Sequence, residues 1–322
     1  MNPVEPRPRA ERSAWPGLPG AEWTDTLETV HMWTQIVGKV RTTLAPWTNH
    51  SWSSTLYVTS RGLTTSPIPY DGRTLEVEFD FVEHRLPIRA SDGLRRSLSL
   101  EPKSVARFYH EFLSTLSEMG FDVTIHPEPN EVPDAIPFDE DEVHGTYDAG
   151  HARRLWDSLV QADRVMKDFR AAFIGKASPV HFFWGSFDMA VTRFSGRRAP
   201  EHPGGFPNLP DEIAREAYSH EVTSCGFWPG NRDHPDPIFY AYAYPTPEGF
   251  SEASVRPDGA FWLEELGEFA LPYEALRSED SPDDALYAFF ESAHAAAADL
   301  AGWDREALER ERGYRPVPRW KG

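Results

Sequence analysis

A histidine and an aspartate flank the richest mixture of polar and aromatic residues in the chain. Residues 181–188 are His-Phe-Phe-Trp-Gly-Ser-Phe-Asp, so rings and a hydroxyl lie between the imidazole and the carboxylate. Both side-chain types can act as general acids or bases when they reach the reacting proton. We therefore take His181 and Asp188 as candidate catalytic groups.

Strand periodicity predicts which of these side chains lie together. Alternation places Trp184, Ser186 and Asp188 on one face and His181 on the other. A direct contact between His181 and Asp188 then requires a bulge, for which Gly185 is suited.

Two interpretations of Asp188 remain open at this stage. A buried carboxylate without a partner is costly, so Asp188 needs hydrogen bonds, solvent or an ion pair. It either lines a polar cavity, or it pairs with a neighbour such as Arg193 or caps a bend.

A second stretch with side chains that could take part in catalysis or binding covers residues 220–230, His-Glu-Val-Thr-Ser-Cys-Gly-Phe-Trp-Pro-Gly. His220 and Glu221 join the candidate catalytic groups as acid–base residues. Aromatic walls with a few convergent polar groups are typical of ligand sites. The predicted ligand-binding residues are Trp184, Ser186, Arg193, Phe227 and Trp228.

A metal-dependent hydrolase is an alternative, with histidines 144, 181 and 220 and either Asp188 or Glu221 as ligands. His144, Asp148 and His151 would share a face of one continuous helix. Asp148 also stands where a helix N-cap belongs, which would leave His144 outside the helix. A third hypothesis is a non-catalytic scaffold or assembly protein. No sequence motif names a cofactor.

The predicted secondary-structure elements that carry these residues occur twice in the same order along the chain. A striped helix leads to a strand in each copy, and each copy closes with a second helix that a proline opens. The matched markers are Trp33, Trp52, Ser54, Arg61 and Pro102 in the first copy and Trp156, Trp184, Ser186, Arg193 and Pro282 in the second. The sequence thus predicts an α+β fold of two tandem, pseudo-symmetric modules, each built as helix, antiparallel sheet and helix.

Composition shifts divide the chain into five segments. Residues 1–19 are expected to form a flexible leader, 20–126 the first module, 127–143 an acidic proline-rich connector, 144–303 the second module and 304–322 a tail. Residues 195–219 have no counterpart in the first copy and contain repeated proline and glycine. Such a long insertion is either a binding loop or a surface decoration.

Charge and cysteine content limit the class of protein. The formal net charge is −19 and the pI about 5.0. This charge repels phosphate backbones and anionic lipid, so we expect neither a nucleic-acid nor a membrane partner. One cysteine excludes an internal disulfide framework, and without an export signal the expected location is the cytoplasm.

The phrases Ser-Pro-Val-His-Phe-Phe-Trp-Gly-Ser-Phe-Asp and His-Glu-Val-Thr-Ser-Cys-Gly-Phe-Trp-Pro-Gly resemble those of an uncharacterised bacterial family, a domain of unknown function. The resemblance implies a bacterial cytosolic protein and assigns no catalytic residue. From the residues themselves, the leading hypothesis is a protein that binds a small polar organic molecule in a pocket of the second module, with general acid–base chemistry as an extension. The oligomeric state stays open.

Overall fold

Helices open and close each half of the chain, and strands lie between them. The computed structural model describes residues 15–314. The elements of the first half are α1 (Thr24–Leu44), β1 (Tyr57–Val58), β2 (Gly62–Thr64), β3 (Ile68–Tyr70), β4 (Arg73–Asp80), β5 (Arg85–Ala90), β6 (Arg95–Ser99) and α2 (Val105–Glu118).

The second half repeats this order with additional short helices. Its elements are α3 (Ala149–Ala171), β7 (His181–Phe183), β8 (Asp188–Arg198), α4 (Asp211–Ala217), β9 (His220–Trp228), β10 (Ile238–Tyr244), β11 (Phe261–Leu263), β12 (Glu268–Pro272), α5 (Tyr273–Arg277), α6 (Pro282–Leu300) and α7 (Arg305–Leu308). The predicted α+β class is confirmed.

Within residues 15–314, two antiparallel sheets of six strands each organise the fold. The first has the order β1-β2-β4-β5-β6, with β3 also paired to β4, and the second has the order β7-β8-β9-β10-β12-β11. Leu56, directly before β1, and Phe182 in β7 exchange two backbone hydrogen bonds of 2.8 Å each. The two sheets are therefore joined edge to edge at this pair.

The second sheet buries one face under helices and turns the other away from them. The side chains on the covered face belong to the main core and include Met189, Val191, Phe227 and Phe239. Helices α3 and α6 contact strands β8, β9 and β10. The side chains at the intervening positions are thereby free to line a separate space.

Helix caps explain where two of the long helices begin. Asp148 accepts a hydrogen bond of 2.8 Å from the His151 backbone N–H and caps α3, which places His144 outside the helix. Of the two interpretations of Asp148, the N-cap is the one confirmed. Pro282 occupies the first turn of α6, as predicted.

Two local predictions are wrong. Residues 52–54 form a turn and not the start of the strand that Trp52 and Ser54 were expected to mark. Helix α2 begins at Val105, capped by Ser104, and not at Pro102. The side chains of residues 52–54 alternate as in a strand, but turn geometry determines their backbone conformation. Pro102 is a residue that often starts helices, but Ser104 is the better N-cap and sets the start of α2.

The predicted matching of Trp52 with Trp184 is also not reproduced. Trp52 precedes β1, whereas Trp184 lies in the turn between β7 and β8. Arg61 pairs with Asp80 at the surface at 2.5 Å, whereas Arg193 is fully buried. Equal spacing in the sequence therefore does not give equal positions in the two halves.

The segments between and around the two halves are packed rather than loose. In the acidic stretch, Phe138 is fully buried and Asp141 is almost fully buried. Trp15, placed by the sequence in the leader, packs on Phe239 and Tyr273. The rest of the predicted leader, residues 1–14, and the tail residues 315–322 lie outside the described part. Within residues 15–314, no helix combines the length and the apolar character needed to cross a membrane.

Candidate functional site

A cavity of about 770 Å³ lies against the face of the second sheet that points away from α3 and α6. Its size falls in the range of small-molecule sites. Four strands of the sheet supply its floor through alternate residues. These are Asp188, Ala190, Thr192 and Phe194 from β8, Val222, Ser224 and Trp228 from β9, Ile238, Tyr240 and Tyr242 from β10, and Glu268 from β12.

The centre of the floor depends on a glycine. Ala190, Gly226 and Tyr240 stand in register on three adjacent strands. A Cβ atom at Gly226 would lie 2.3 Å from the Tyr240 hydroxyl oxygen, so the tyrosine ring occupies the space that a side chain would fill. Across this position the Tyr240 hydroxyl donates a hydrogen bond to Asp188. The Ser186 hydroxyl donates a second one to the other carboxylate oxygen.

The first half supplies the facing wall. Lys39 of α1 and the residues Trp47, His50 and Trp52 that follow α1 line the cavity. The cavity therefore lies between the two halves and is not confined to the second.

Trp184 fixes this junction of the halves. Its indole lies over Gly38 of α1, where a Cβ atom would come within 2.2 Å of the ring. The indole N–H donates to the backbone carbonyl of Ser54. The glycine is therefore required by a close approach between the halves and not by its own backbone angle.

The acidic connector contributes Asn130 and Glu131 to the wall. The Gln35 side chain binds both the backbone N–H of Asn130, at 2.8 Å, and its carbonyl, at 2.9 Å. The Glu131 backbone N–H donates to the Pro207 carbonyl at 2.8 Å. These bonds hold Glu131 at a φ of 60°, in the left-handed region, with its carboxylate against Gly185.

The segment 195–219 covers another side of the cavity. It carries the end of β8 and the helix α4, so it is less irregular than its proline and glycine content suggested. Phe206, Leu209, Ile213 and Tyr218 of this segment line the cavity. Of the two interpretations of the insertion, this position agrees with a binding loop.

Three carboxylic acids determine the electrostatics of the cavity: Asp188, Glu131 and Glu268. Burial raises the pKa of Asp188, although the hydrogen bonds from Ser186 and Tyr240 stabilise its charged form. Burial, followed by repulsion from the charge on Asp188, raises the pKa of Glu131 to about 7 and that of Glu268 to about 8. Asp188 is thus the residue of the three with donors that support a negative charge.

Lys39 adds a cation to the wall. Its ammonium group donates to the Asn130 side-chain carbonyl at 2.5 Å and lies 5.9 Å from the ring centres of Phe138 and Trp184. Burial lowers the pKa of Lys39 to about 8. The cavity can therefore exchange protons at several points close to neutral pH.

Four of the residues singled out from the sequence line the cavity: Trp184, Ser186, Asp188 and Trp228. The hydrogen bonds of Asp188 run to Ser186 and Tyr240 and not to Arg193. Of the open interpretations of this carboxylate, its position agrees with the polar cavity.

Three other singled-out residues lie elsewhere. Arg193 points into the helix-covered core, where it donates to the Phe169 carbonyl at 2.5 Å and stacks over the Phe169 ring. Phe227 packs in the same core. Glu221 pairs with Arg197 at 2.7 Å and accepts from Ser195. Alternation along the strands accounts for all three. Each lies an odd number of residues from the floor residues of its own strand, so its side chain points to the opposite face of the sheet.

The two remaining histidines border the site without forming its lining. His181 stands opposite Ala190, is almost fully buried, and has no hydrogen-bond partner at either ring nitrogen among the described residues. Burial lowers its pKa to about 3, so the ring is neutral. His220 lies at the start of β9 near His50, with ring centres 6.5 Å apart.

The residues of the metal alternative are dispersed. His144 forms an ion pair with Asp141 at 2.7 Å, which raises the pKa of His144. Across residues 15–314, no group of three or more histidine, cysteine, aspartate or glutamate side chains is arranged so that it could hold a metal ion.

Sequence reasoning missed Lys39, Glu131, Tyr240 and Glu268. Tyr240 and Tyr242 alternate in a run that does signal a strand with one aromatic face. Lys39 lies on a helix stripe, Glu131 among other acidic residues and Glu268 in a hairpin. For these three no local signal exists, since only the tertiary fold brings them to the cavity.

Together these features define an α+β protein with two edge-joined sheets and an aromatic, acid-containing cavity that lies between the second sheet, α1 and the connector. The chain belongs to the family described as a family of unknown function, DUF5996, whose model matches residues 15–310. The sequence-based resemblance to a family without an assigned function is thereby confirmed. No curated protein and no solved structure matches the chain.

Proposed function

We propose that this protein binds a small polar organic molecule in the cavity between its two halves. The observation that carries the proposal is the convergence of Asp188, Glu131 and Glu268 on one aromatic-walled space of about 770 Å³. A fold that packed only for stability would fill such a space with apolar side chains. It would also avoid several buried carboxyl groups.

General acid–base chemistry is a consistent extension of this function. Glu131, Glu268 and Lys39 have pKa values of about 7, 8 and 8, in the range where a group can both give and take a proton at neutral pH. In this scheme the hydroxyls of Ser186 and Tyr240 support the charged form of Asp188, and a charge on Asp188 favours the protonated forms of Glu131 and Glu268.

Two further parts of the proposal concern origin and location. The shared order of helix, strands and helix, together with the edge-to-edge pairing of Leu56 and Phe182, supports an internal duplication. The single cysteine, Cys225, is buried as a free thiol, which supports the reducing cytoplasm as the place of action.

Native mass spectrometry of protein purified without dialysis tests the binding proposal. We expect a bound organic molecule of low mass in the wild type. Ala190→Phe, which fills the centre of the floor, should lose this molecule. Ala21→Phe, at an exposed position away from the cavity, should retain it.

Circular dichroism and thermal melting establish that both variants fold. The proposal fails if the wild type carries no molecule and shows no thermal shift with any compound of a broad metabolite panel. It also fails if a folded Ala190→Phe protein binds as the wild type does.

A further inference from the structure

We infer that the ligand is an organic cation, an amine or a quaternary ammonium group carried on an apolar body. This inference rests on the proposed function and names the chemical class of the ligand. Its basis is the combination of unpaired carboxyl groups and aromatic rings around one cavity.

The carboxyl groups of the cavity have no cationic partner among the residues that the structure describes. Within residues 15–314, none of Asp188, Glu131 and Glu268 forms a salt bridge, although other acidic residues do so repeatedly, as in the pairs of Glu221 and Asp80. The side chains of Glu131 and Glu268 also accept no hydrogen bond from the described residues, and Asp188 is only 8% exposed. A buried carboxylate without a counter-charge is unfavourable, so these groups ionise at a cost that a bound cation would offset.

The rest of the wall favours an organic cation. Trp47, Trp52, Trp184, Trp228 and Tyr242 line the same cavity. The faces of such rings attract ammonium groups, and their area buries an apolar body. A bare metal ion would leave most of this aromatic surface without a contact.

Lys39, the cation in the cavity wall, forms no ion pair with the three cavity carboxyl groups. Lys39 donates to Asn130, and the acidic residue that influences its charge is Glu128 rather than one of the three cavity acids. Lys39 is therefore engaged at the connector side of the cavity. The pair of Asp188 and Glu268 on the floor is left for the ligand.

Three probes of similar shape test the charge preference: 2-phenylethylamine, 2-phenylethanol and 3-phenylpropionate. Their binding to the full-length wild-type protein is measured by saturation-transfer NMR and by tryptophan fluorescence at pH 7.5. We expect the amine to bind at least about tenfold more tightly than the alcohol, and the carboxylate to bind most weakly, because of direct charge–charge and cation–π interactions.

Substitution of the floor carboxyl groups should remove this preference. In Asp188→Asn and in the double variant Asp188→Asn/Glu268→Gln, we expect the affinity for the amine to fall about tenfold or more while that for the alcohol changes by less than about threefold. Glu265→Gln, an exposed carboxyl in the same hairpin as Glu268, serves as the matched control and should bind all three probes as the wild type does.

The possible results separate this inference from the proposed function. If the alcohol or the carboxylate binds as tightly as the amine or more tightly, the inference of a cationic ligand is wrong, whereas the proposed ligand-binding cavity stands. The same conclusion follows if the preference for the amine persists in the folded double variant. If none of the three probes binds and Ala190→Phe changes nothing, both the proposed function and this inference fail.

Discussion

Replacing Glu268 by glutamine should stabilise the protein, and more so as the pH rises. Glu268 lies half-buried on β12 with its carboxyl group in the cavity. Glutamine keeps the shape of the side chain but cannot ionise. The substitution therefore removes the cost of placing a second negative charge near Asp188.

The magnitude follows from the pKa of Glu268, which burial and then Asp188 raise from 4.5 to about 8. A carboxyl group with a raised pKa contributes stability that is complete below its unfolded pKa and is lost as the pH rises through its folded pKa. At about 1.4 kcal/mol per pKa unit, the loss between pH 5 and pH 8 is about 3.5 kcal/mol, because the pH dependence levels off as the folded state ionises near pH 8. Solvent contact of the half-buried side chain reduces this to about 2 kcal/mol.

Urea and thermal unfolding at pH 5, 6, 7 and 8 measure this effect. The quantity of interest is the free energy of unfolding of Glu268→Gln minus that of the wild type. It should be near zero at pH 5 and reach about 2 kcal/mol at pH 8, with a melting temperature higher by about 4 °C. Buried histidines such as His31, whose pKa is lowered to about 4, contribute equally to both proteins and cancel.

The control is again Glu265→Gln, for which the difference should stay flat across the same range. A Glu268→Gln difference that varies by less than about 0.5 kcal/mol from pH 5 to pH 8 would refute the reasoning. So would a variant that is less stable than the wild type at pH 8. Either result would mean that Glu268 ionises freely in water and does not share the field of Asp188.

Three further predictions concern packing. Gly38→Ala should destabilise the fold by about 1–3 kcal/mol and shift tryptophan fluorescence, because the new methyl group displaces Trp184, although alanine normally favours a helix. Gly226→Ala should cost more than about 2 kcal/mol in urea unfolding, since its Cβ atom would also meet the Met189 carbonyl oxygen at 2.4 Å, and it should abolish probe binding by moving Tyr240. Cys225 should not react with Ellman's reagent in the native protein at pH 8 and should react fully in urea, because the thiol is buried and burial raises its pKa.

Elements with a local signal could be predicted from the sequence. The α3 cap at Asp148 and the start of α6 at Pro282 depend on neighbouring residues. Asp188 could be singled out as a polar residue in an apolar strand context. Trp184 and Ser186, which also line the cavity, could be singled out together with Asp188 because they belong to the same stretch of sequence.

Features that depend on contacts between distant residues could not be predicted. The facing wall of the cavity comes from α1 and from the connector, and Lys39 and Glu131 reach it through tertiary packing alone. Arg193 and Phe227 were placed in the site because the faces of β8 and β9 were assigned without knowing which face the helices cover. One step along a strand reverses the side to which a residue points.

The contact of Trp184 with Gly38 has a consequence for affinity. A molecule held between surfaces from both halves of the chain also holds those halves together, so occupancy and their correct apposition are thermodynamically linked. Weakening the hydrogen bonds between Leu56 and Phe182 would then reduce affinity, although neither residue lines the cavity. Conversely, occupancy should protect the backbone amides of Leu56 and Phe182 from hydrogen exchange.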